Sequence, residues 1–503
     1  MTTPTAEPRS TKIAWICAVL TAWLGAAILF NAGAGINWPI WVTAASLSLV
    51  AARFVSIGRV EKPLLVLVTW AIVLSIGFSS TANEFIHFLV VLADAMLLGL
   101  ATITLGAENW DELSAKLLVA VPFLAPIRVV GSTAKEAANA PRSISSPRAR
   151  ALVKGTALSL PLILILVTLL ASADPVIRWS TDRIAAWLPD WTFPPRVLFF
   201  LFLLTLTLGA NALALKQLSA KFPAYPSIEG RVSVGVTEQR MMLWSAAVVL
   251  WLFVALQISY FIHPPPAALG TGVTFADFAR RGFGELSFAA TIVGAMIIAL
   301  EYARPANTTD HDRLVLRRLE IALLIALELV LISAFRRVLL YEDAYGFTED
   351  RVFAQAYMIG MALAVAALGW EIVRGKISVA FGRRVAEIAL GVFTILVFWN
   401  YEAWIVNKNV DRIASGEKFH AGYLTRLSLD ATPTLIRRLP EIPLPQRDTV
   451  TSGLACKRRP AAGSWFEFNP RVDAAVEALN QWNAPPCIRT PIRFVPDRAL
   501  PSS

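Results

Sequence analysis

Two segments concentrate charged residues at spacings that could bind an anion and move a proton. Within 271–286, Asp277, Arg281 and Glu285 recur every four residues, so a helix would place them on one face. Within 335–351, arginines, acids and tyrosines alternate. Arginine pairs grip phosphate or carboxylate by bidentate hydrogen bonds, and a nearby carboxylate can act as a base. The candidate anion-binding residues are Arg280, Arg281, Arg336, Arg337 and Arg351, and the candidate catalytic residues are Asp277, Glu285, Asp343 and Tyr345.

The same residues also have a structural explanation. Opposite charges four residues apart form ordinary salt bridges on a helix surface. Arginine near the end of a membrane span commonly extends its side chain to the lipid headgroups. The spacing alone leaves both interpretations open.

Two acids lie in the middle of apolar runs, Asp94 in LADAMLLG and Glu328 in IALELVLI. A carboxylate in hydrocarbon costs at least about 2.5 kcal/mol, so such a residue usually faces the bundle interior or a cavity. One interpretation is a path for protons or ions. The other is a carboxyl group that joins neighbouring helices by hydrogen bonds.

Several chemistries have no support in the sequence. The four histidines are scattered and form no HExxH or other ligand spacing, so we expect no metal site. Walker A, GxGxxG and GxSxG segments are also missing, and we expect no cofactor. The histidines are His87, His263, His311 and His420.

The composition is that of a membrane protein. Of 503 residues, 56% are hydrophobic and 16% charged, and the mean hydropathy is +0.58. Soluble domains carry about 25% charged residues. The net charge of +10 does not indicate nucleic-acid binding, because the basic residues lie in loops beside apolar runs, where membrane topology explains them.

The apolar runs predict an all-α polytopic membrane bundle of about 11 transmembrane helices, with the lipid bilayer as its surroundings. A further apolar stretch, 113–130, contains Pro122, Pro126 and two charges, and we expect an interfacial or re-entrant helix there. The predicted spans are 13–31, 36–54, 63–79, 85–105, 153–172, 196–215, 242–262, 285–302, 318–340, 353–373 and 383–400.

The distribution of Lys and Arg predicts the orientation. With the N-terminus inside, the inner loops carry roughly threefold more Lys and Arg than the outer loops. If 113–130 crossed the membrane, every later loop would change sides and the asymmetry would be lost. The predicted domains are a cytoplasmic segment 1–12, a transmembrane domain 13–400 with a cytoplasmic loop 106–152, and an extracytoplasmic domain 401–503.

The C-terminal domain is expected to be small and mixed in structure. We predict helices at 401–416 and 471–482, an extended proline-rich connector at 439–448 and an edge strand at 487–495. Cys456 and Cys487 lie on the predicted oxidising side and are candidates for a disulfide. Closing that loop would stabilise the domain by about 3–4 kcal/mol.

Four segments resemble the uncharacterised bacterial multi-pass membrane families named domain of unknown function 4153 and 4173. They are LLASADPV at 169–176, TGVTFADFARRGFGEL at 271–286, FRRVLLYEDAYGFTEDR at 335–351, and NYEAWIVNKNVDRI at 400–413 with YLTRLSLDATPTL at 423–435. The resemblance implies a location in the bacterial inner membrane. It implies no reaction, cofactor or catalytic residue.

Three functional hypotheses follow. The leading one is envelope maintenance or sensing, with the C-terminal domain as the contact for an envelope protein partner. The second is an outer-leaflet enzyme that acts on an anionic lipid or lipid-linked substrate through the arginines and acids named first. The third is a proton-coupled transporter that uses Asp94 and Glu328.

Overall fold

The computed structural model describes most of the chain and is helical throughout the described part, in which no strand occurs. Two predicted features, the span 153–172 and the edge strand beyond residue 487, lie outside the described residues. The described residues are 8–107, 115–139, 193–215, 233–262, 275–305, 307–375, 377–378, 380–416, 421–444, 446–457, 463–482 and 485–487.

The first group of helices packs in chain order, each helix against the next. The last helix of the group returns to pack against the first, second and fifth. The helices are α1 (Pro8–Ile28), α2 (Asn37–Ile57), α3 (Lys62–Phe78), α4 (Glu84–Ile103), α5 (Ala115–Asn139) and α6 (Phe193–Ala214).

The second group is built around one long helix, α9, which packs against α7, α8 and α10. The two groups meet where α11 contacts α3 and α5, and where Phe85 of α4 packs against Phe353 of α10, with ring centroids 5.6 Å apart. The helices are α7 (Val236–Ile262), α8 (Phe275–Tyr302), α9 (Asp310–Tyr345), α10 (Glu349–Arg374) and α11 (Phe381–Phe398).

The C-terminal residues form a compact set of short helices over one end of the bundle. The first, α12, is bent by 64° from α11. An apolar core that includes Ile405, Leu424, Leu435 and Val450 joins the short helices. They are α12 (Tyr401–Ala414), α13 (Thr432–Arg438), α14 (Gln446–Ala455) and α15 (Pro470–Gln481), with 3₁₀ turns at Ala421–Arg426, Leu429–Ala431, Leu439–Glu441 and Trp465–Glu467.

Six of the described helices are long and apolar enough to cross a membrane: α1, α2, α4, α6, α7 and α10. The bent pair α11 and α12 would make a seventh, and α3 and part of α8 are shorter apolar helices. Large apolar side chains such as Trp23, Phe88 and Leu252 face outward, as expected for helices whose surroundings are lipid. A membrane-embedded helical bundle is therefore supported, at a coarser level than the predicted eleven spans.

One local expectation needs revision, and the alternatives for another are narrowed. The 439–448 segment is not an extended connector, because Leu439–Glu441 is a 3₁₀ turn and α14 begins at Gln446. Pro440 is accommodated there because it lies at the start of the turn, where its missing N–H is not needed. The sequence leaves two alternatives open for 113–130, an interfacial and a re-entrant helix. From Ala115 onward the chain forms a single 25-residue helix that continues through Pro122 and Pro126, without the reversal that a re-entrant segment needs, and an interfacial position stays a prediction.

The predicted disulfide between Cys456 and Cys487 is confirmed, with Cα atoms 4.8 Å apart. It ties the end of α14 to the residues that follow α15. The predicted helices at 401–416 and 471–482 occur as α12 and α15.

The two ends of the bundle differ. We call the end that contacts residues 401–487 the capped end and the opposite end the open end. The α1–α2 and α3–α4 connections and the α9–α10 turn lie at the capped end. At the open end, Arg53 donates to Glu61 Oε1 (2.9 Å) and to the carbonyl of Ala214 at the end of α6 (3.1 Å). A buried ion pair thus closes the α2–α3 connection.

Gly77 allows α3 and α11 to approach closely. A Cβ atom at this position would collide with Cγ1 of Val397, a β-branched side chain that is almost fully buried. Val397 has little rotational freedom with which to move aside. The contact between the two helix groups therefore depends on a residue without a side chain.

Gly77→Ala should separate α3 from α11 and lower the free energy of unfolding by about 1–3 kcal/mol. The matched control is Gly391→Ala in α11, where a Cβ would meet nothing within 4 Å. That variant should be unchanged or slightly more stable, since alanine favours a helix over glycine. Thermal unfolding in detergent, followed by circular dichroism, measures both. Equal unfolding temperatures for the two variants would contradict the role of this contact.

Candidate functional site

The acid Asp430 anchors a buried cluster of polar side chains at the capped end. Its carboxylate accepts hydrogen bonds from Thr81 Oγ1 (2.6 Å) and from the backbone N–H of Ala82 (2.8 Å), both in the α3–α4 connection. It also accepts from Arg471 Nη1 of α15 (3.2 Å). Arg471 donates its second hydrogen bond to the carbonyl of Phe398, where α11 ends (2.9 Å).

Asn83 holds two further acids with one amide group. Its Nδ2 donates to Oε1 of Glu349 (2.9 Å) and to Oε1 of Glu402 (2.7 Å). Its Oδ1 caps α4 by accepting from the N–H groups of Phe85 and Ile86. A single side chain therefore starts a helix of the first group and binds the first turn of both α10 and α12.

The remaining contacts close the cluster. Glu402 Oε2 accepts from Ser428 Oγ (2.7 Å), and Asn469 Nδ2 donates to the carbonyl of Thr81 (2.8 Å). Asn469 also caps α15 through its Oδ1. We call this cluster the junction network. Its members are Thr81, Asn83, Glu349, Glu402, Ser428, Asp430, Asn469 and Arg471.

Two contacts extend the attachment to other connections. The N–H of Ile36, in the α1–α2 connection, donates to the carbonyl of Phe468 (3.1 Å). In the α9–α10 turn, Phe347 exchanges two 2.8 Å hydrogen bonds with the side-chain amide of Asn409. The C-terminal residues thus bind three connections of the bundle at once.

Lys457 supports the loop that carries Asp430. Its Nζ donates to the carbonyls of Leu427 (2.7 Å) and Ser428 (3.0 Å). Burial lowers the pKa of Lys457 to about 8, although the nearby carboxyl groups of Glu402 and Asp430 act in the opposite direction. The neighbouring Cys456 is held by the disulfide, so the covalent bond and the hydrogen bonds fix the same point.

The junction network is suited to holding parts of the chain together. Every acid in it accepts hydrogen bonds from groups of the protein, which stabilises the buried carboxyl groups where they lie. Within the described part of the chain, no group of three or more His, Cys, Asp or Glu side chains could hold a metal ion.

The candidates chosen from the sequence occupy other places. Asp277, Arg280, Arg281 and Glu285 belong to α8, and their side chains lie outside what the structure describes. The structure therefore does not test whether they approach the second set of candidates.

In the second set, Asp343, Tyr345 and Arg336 are exposed on α9. Arg336 and Arg337 both have partners within the protein. Arg351 donates to the carbonyl of Gly346, and its guanidinium lies 4.2 Å from the centre of the Tyr341 ring. Arg351 thus holds the α9–α10 turn, which is the structural interpretation of that arginine.

The intramembrane acids lie in different helix groups. Asp94 is fully buried in α4 and accepts a hydrogen bond from Trp38 Nε1 of α2 (2.7 Å). Glu328 is partly buried in α9. No hydrogen bond joins the two acids among the described residues. The contact with Trp38 matches the interpretation of Asp94 as a carboxyl group that joins helices.

Asn83→Asp tests the donor role of the amide. Aspartate keeps the cap on α4 but removes the N–H donors and adds a third carboxylate beside Glu349 and Glu402, so stability should fall. Repulsion from the added carboxylate raises the folded-state pKa of Glu402, so the loss of stability should be greatest at high pH and smaller at low pH. Unfolding temperatures compared between roughly pH 8 and pH 5 measure this difference.

Asn83→Ser is the matched control, because it keeps a capping oxygen and loses the donors without adding charge. It should be less destabilised than Asn83→Asp at high pH and should depend less on pH. Wild-type stability in both variants at every pH would show that Asn83 acts only as a helix cap, because both variants keep the capping oxygen.

A family model described as a domain of unknown function (DUF4153) matches residues 68–438, about three quarters of the chain. The matched range contains Asn83, Glu349, Glu402 and Asp430, whereas Lys457, Asn469 and Arg471 lie beyond it. No curated protein and no solved structure matches the chain. The resemblance seen in the sequence is confirmed, and the chain belongs to the DUF4153 family.

Proposed function

We propose that this protein is a multi-pass protein of the bacterial inner membrane whose extracytoplasmic C-terminal domain senses the state of the cell envelope. The domain acts on the membrane helices through the junction network. The observation that carries this proposal is that one buried polar cluster binds the C-terminal residues to both helix groups, through Asn83 and Asp430 to the first and through Glu349 to the second.

A junction made of hydrogen bonds favours a C-terminal domain that changes its contacts with the membrane helices over one that only covers them. When an apolar contact opens, it exposes hydrocarbon to water, but the donors and acceptors of a polar contact can bond to water instead. The hydrogen bonds of the junction network can therefore be exchanged for bonds to water, whereas the apolar core that the C-terminal residues share with Leu74, Ile86 and Val397 of the bundle opposes complete separation. A ligand of the C-terminal domain would change this equilibrium if it bound one arrangement more tightly than the other.

Three observations support the extracytoplasmic side. The distribution of Lys and Arg assigns the α1–α2, α3–α4 and α9–α10 connections to the outer face. The C-terminal residues contact all three of them. Their disulfide suits an oxidising compartment.

Exposed aromatic side chains give the C-terminal domain a surface for lipid or for an envelope protein. Trp465 and Phe468 are 72% and 51% exposed and lie beside the α1–α2 connection, where Phe468 binds Ile36. Aromatic side chains at this level act as anchors in the interfacial layer of a membrane.

The function is tested by complementing a deletion strain. We expect deletion of the gene to increase sensitivity to detergent or to a chelator of divalent cations, and the wild-type gene to restore resistance. Asp430→Asn combined with Arg471→Gln should fail to restore it at equal membrane abundance, because the C-terminal domain is then no longer coupled to the helices.

The matched control removes another ion pair of the same domain. Asp411→Asn with Arg438→Gln makes the same charge change at an ion pair (2.7 Å) outside the junction network, in which Asp411 is exposed and Arg438 is partly buried. This variant should restore resistance. Equal rescue by both double variants would reject the coupling, and a deletion strain with normal resistance would reject the envelope role.

The side of the C-terminal domain is tested with a membrane-impermeant thiol reagent on intact spheroplasts. A Cys17→Ser background removes the free thiol of α1. We expect Cys456 and Cys487 to react only after an impermeant reductant is added, since both are held in the disulfide. Labelling that requires permeabilised membranes would place the domain in the cytoplasm.

A further inference from the structure

An open cavity of about 340 Å³ lies at the open end of the second helix group. It is formed where α8 ends, α9 begins and α10 ends, so three helices contribute to its wall. Its volume is in the range of sites that bind small ligands. The polar residues and the glycine that line it are Glu301, Arg304, Asp310, Arg313, Arg317 and Gly375.

The side chains of two arginines in this wall make no hydrogen bond and no ion pair within the described residues. Arg313 and Arg317 lie four residues apart in α9, on one face of the helix. The nearby acid Glu320 acts on Arg317 through its charge, but Glu320 itself is bound by Arg304. The guanidinium group binds phosphate oxygens bidentately. Two such groups at this spacing can hold one anion between them.

Arg304 supplies a third group. Its Nη2 binds Glu320 (2.8 Å) and Glu301, which fixes the side chain in the wall. Its Nε is buried and has no hydrogen-bond partner in the described part of the chain. A buried donor without a partner is costly, and an anion in the cavity would remove that cost.

The acid Asp310 also lines the cavity, and it lies in the first turn of α9. The positive end of the helix dipole stabilises a carboxylate at that position, so the N-terminus of α9 partly compensates the negative charge of Asp310. Gly375 has a left-handed conformation with φ of +92°, and a Cβ there would lie 3.1 Å from Arg317. The glycine therefore leaves room for the Arg317 guanidinium.

Aromatic residues place the cavity at the level of lipid headgroups. Tyr302 at the end of α8 and Trp370 near the end of α10 are both more than half exposed. The guanidinium of Arg374 lies 4.8 Å from the centre of the Trp370 ring. Exposed aromatic side chains near helix ends, with arginine beside them, are typical of the boundary between hydrocarbon and headgroups.

We propose that this cavity binds the phosphate group of an anionic phospholipid headgroup, with Arg313 and Arg317 as the principal ligands and Arg304 Nε as an additional donor. A free phosphate ion has the same chemistry at the binding atoms. The exposed aromatic residues favour the lipid, because they bring the opening of the cavity to the membrane surface.

The test uses the full-length protein purified in detergent. Native mass spectrometry compares retention of phosphatidylglycerol with that of zwitterionic phosphatidylcholine, and thermal unfolding is measured with each lipid. We expect the wild-type protein to prefer phosphatidylglycerol by about tenfold or more and to unfold at a higher temperature with it. No preference in the wild-type protein would overturn the proposal without the need for any variant.

Variants identify the site. Arg313→Gln with Arg317→Gln should remove the preference while keeping the unfolding temperature measured in phosphatidylcholine. Arg318→Gln is the matched control, because this exposed neighbour in α9 does not line the cavity. It should keep the preference, and an equal loss of preference in Arg318→Gln and in the double variant would show nonspecific attraction to a basic surface instead of a site.

Competition with inorganic phosphate separates the two sources of the anion. If the cavity recognises a lipid headgroup, phosphate at moderate concentration should leave phosphatidylglycerol bound. If phosphate displaces the lipid and itself raises the unfolding temperature in an Arg317-dependent way, the anion site stands and its ligand is the free ion.

Discussion

The carboxylate of Asp430 determines how the C-terminal residues meet the membrane helices. A carboxylate buried to this extent is tolerated only when hydrogen bonds replace its lost hydration. Its donors come from two distant parts of the chain, Thr81 and Ala82 before α4 and Arg471 in α15. Because Arg471 also binds the end of α11, the acid fixes three helix ends relative to one another. Removing a donor takes away part of this compensation for the buried charge, so the contacts depend on each other.

The helix α9 connects this arrangement to the opposite end of the bundle. Its 36 residues span about 54 Å, well beyond the thickness of a bilayer core. One end carries Arg313 and Arg317 in the cavity wall, and the other leads into the turn where Phe347 binds Asn409 of α12. A helix packed on three neighbours moves as a rigid element, so a displacement at one end is felt at the other. Coupling of the two ends would require that a ligand bind two arrangements of α9 with different affinity.

The sequence predicts well what depends on local pattern. Apolar length indicates the helices, and two cysteines on one predicted side indicate the disulfide between Cys456 and Cys487. The junction network depends on contacts between positions such as Thr81 and Asp430, which are 349 residues apart. Asn83 carries no charge, and its position before the apolar run of α4 indicates only a helix cap. Helical spacing does not distinguish the buried Glu402 from an exposed surface acid such as Asp343.

Arginines near span ends, such as Arg336, Arg337 and Arg351, are equally compatible in sequence with an anion site and with structural contacts. Arg351 donates a hydrogen bond to the carbonyl of Gly346 in the turn beside it, and Arg336 and Arg337 have partners within the protein. In the sequence, Arg313 and Arg317 are two of many basic residues near span ends. What distinguishes them is a cavity beside them and side chains without an ion pair in the described residues, and both properties arise from the packing of α8, α9 and α10.

The orientation of the later helices does not depend on how 113–130 is classified. Arg196 at the start of α6 donates to carbonyls at the end of α1, and the end of α6 accepts from Arg53 at the end of α2. The helix α6 therefore begins at the capped end and finishes at the open end, parallel to α2 and antiparallel to α1. This direction follows from contacts within the first group and needs no count of the segments before it.

The direction of α5 also follows from its contacts with α6. Thr133 donates to the carbonyl of Thr205 and Ser132 to that of Gly209, so α5 runs antiparallel to α6 along its length. The direction of α6 is given by its own contacts with α1 and α2. The excess of Lys and Arg in the inner loops after α6 is therefore compatible with a continuous α5 packed inside the bundle. An apolar stretch interrupted by two prolines resembles a re-entrant segment in sequence, but neighbouring helices can support an unbroken helix through the prolines.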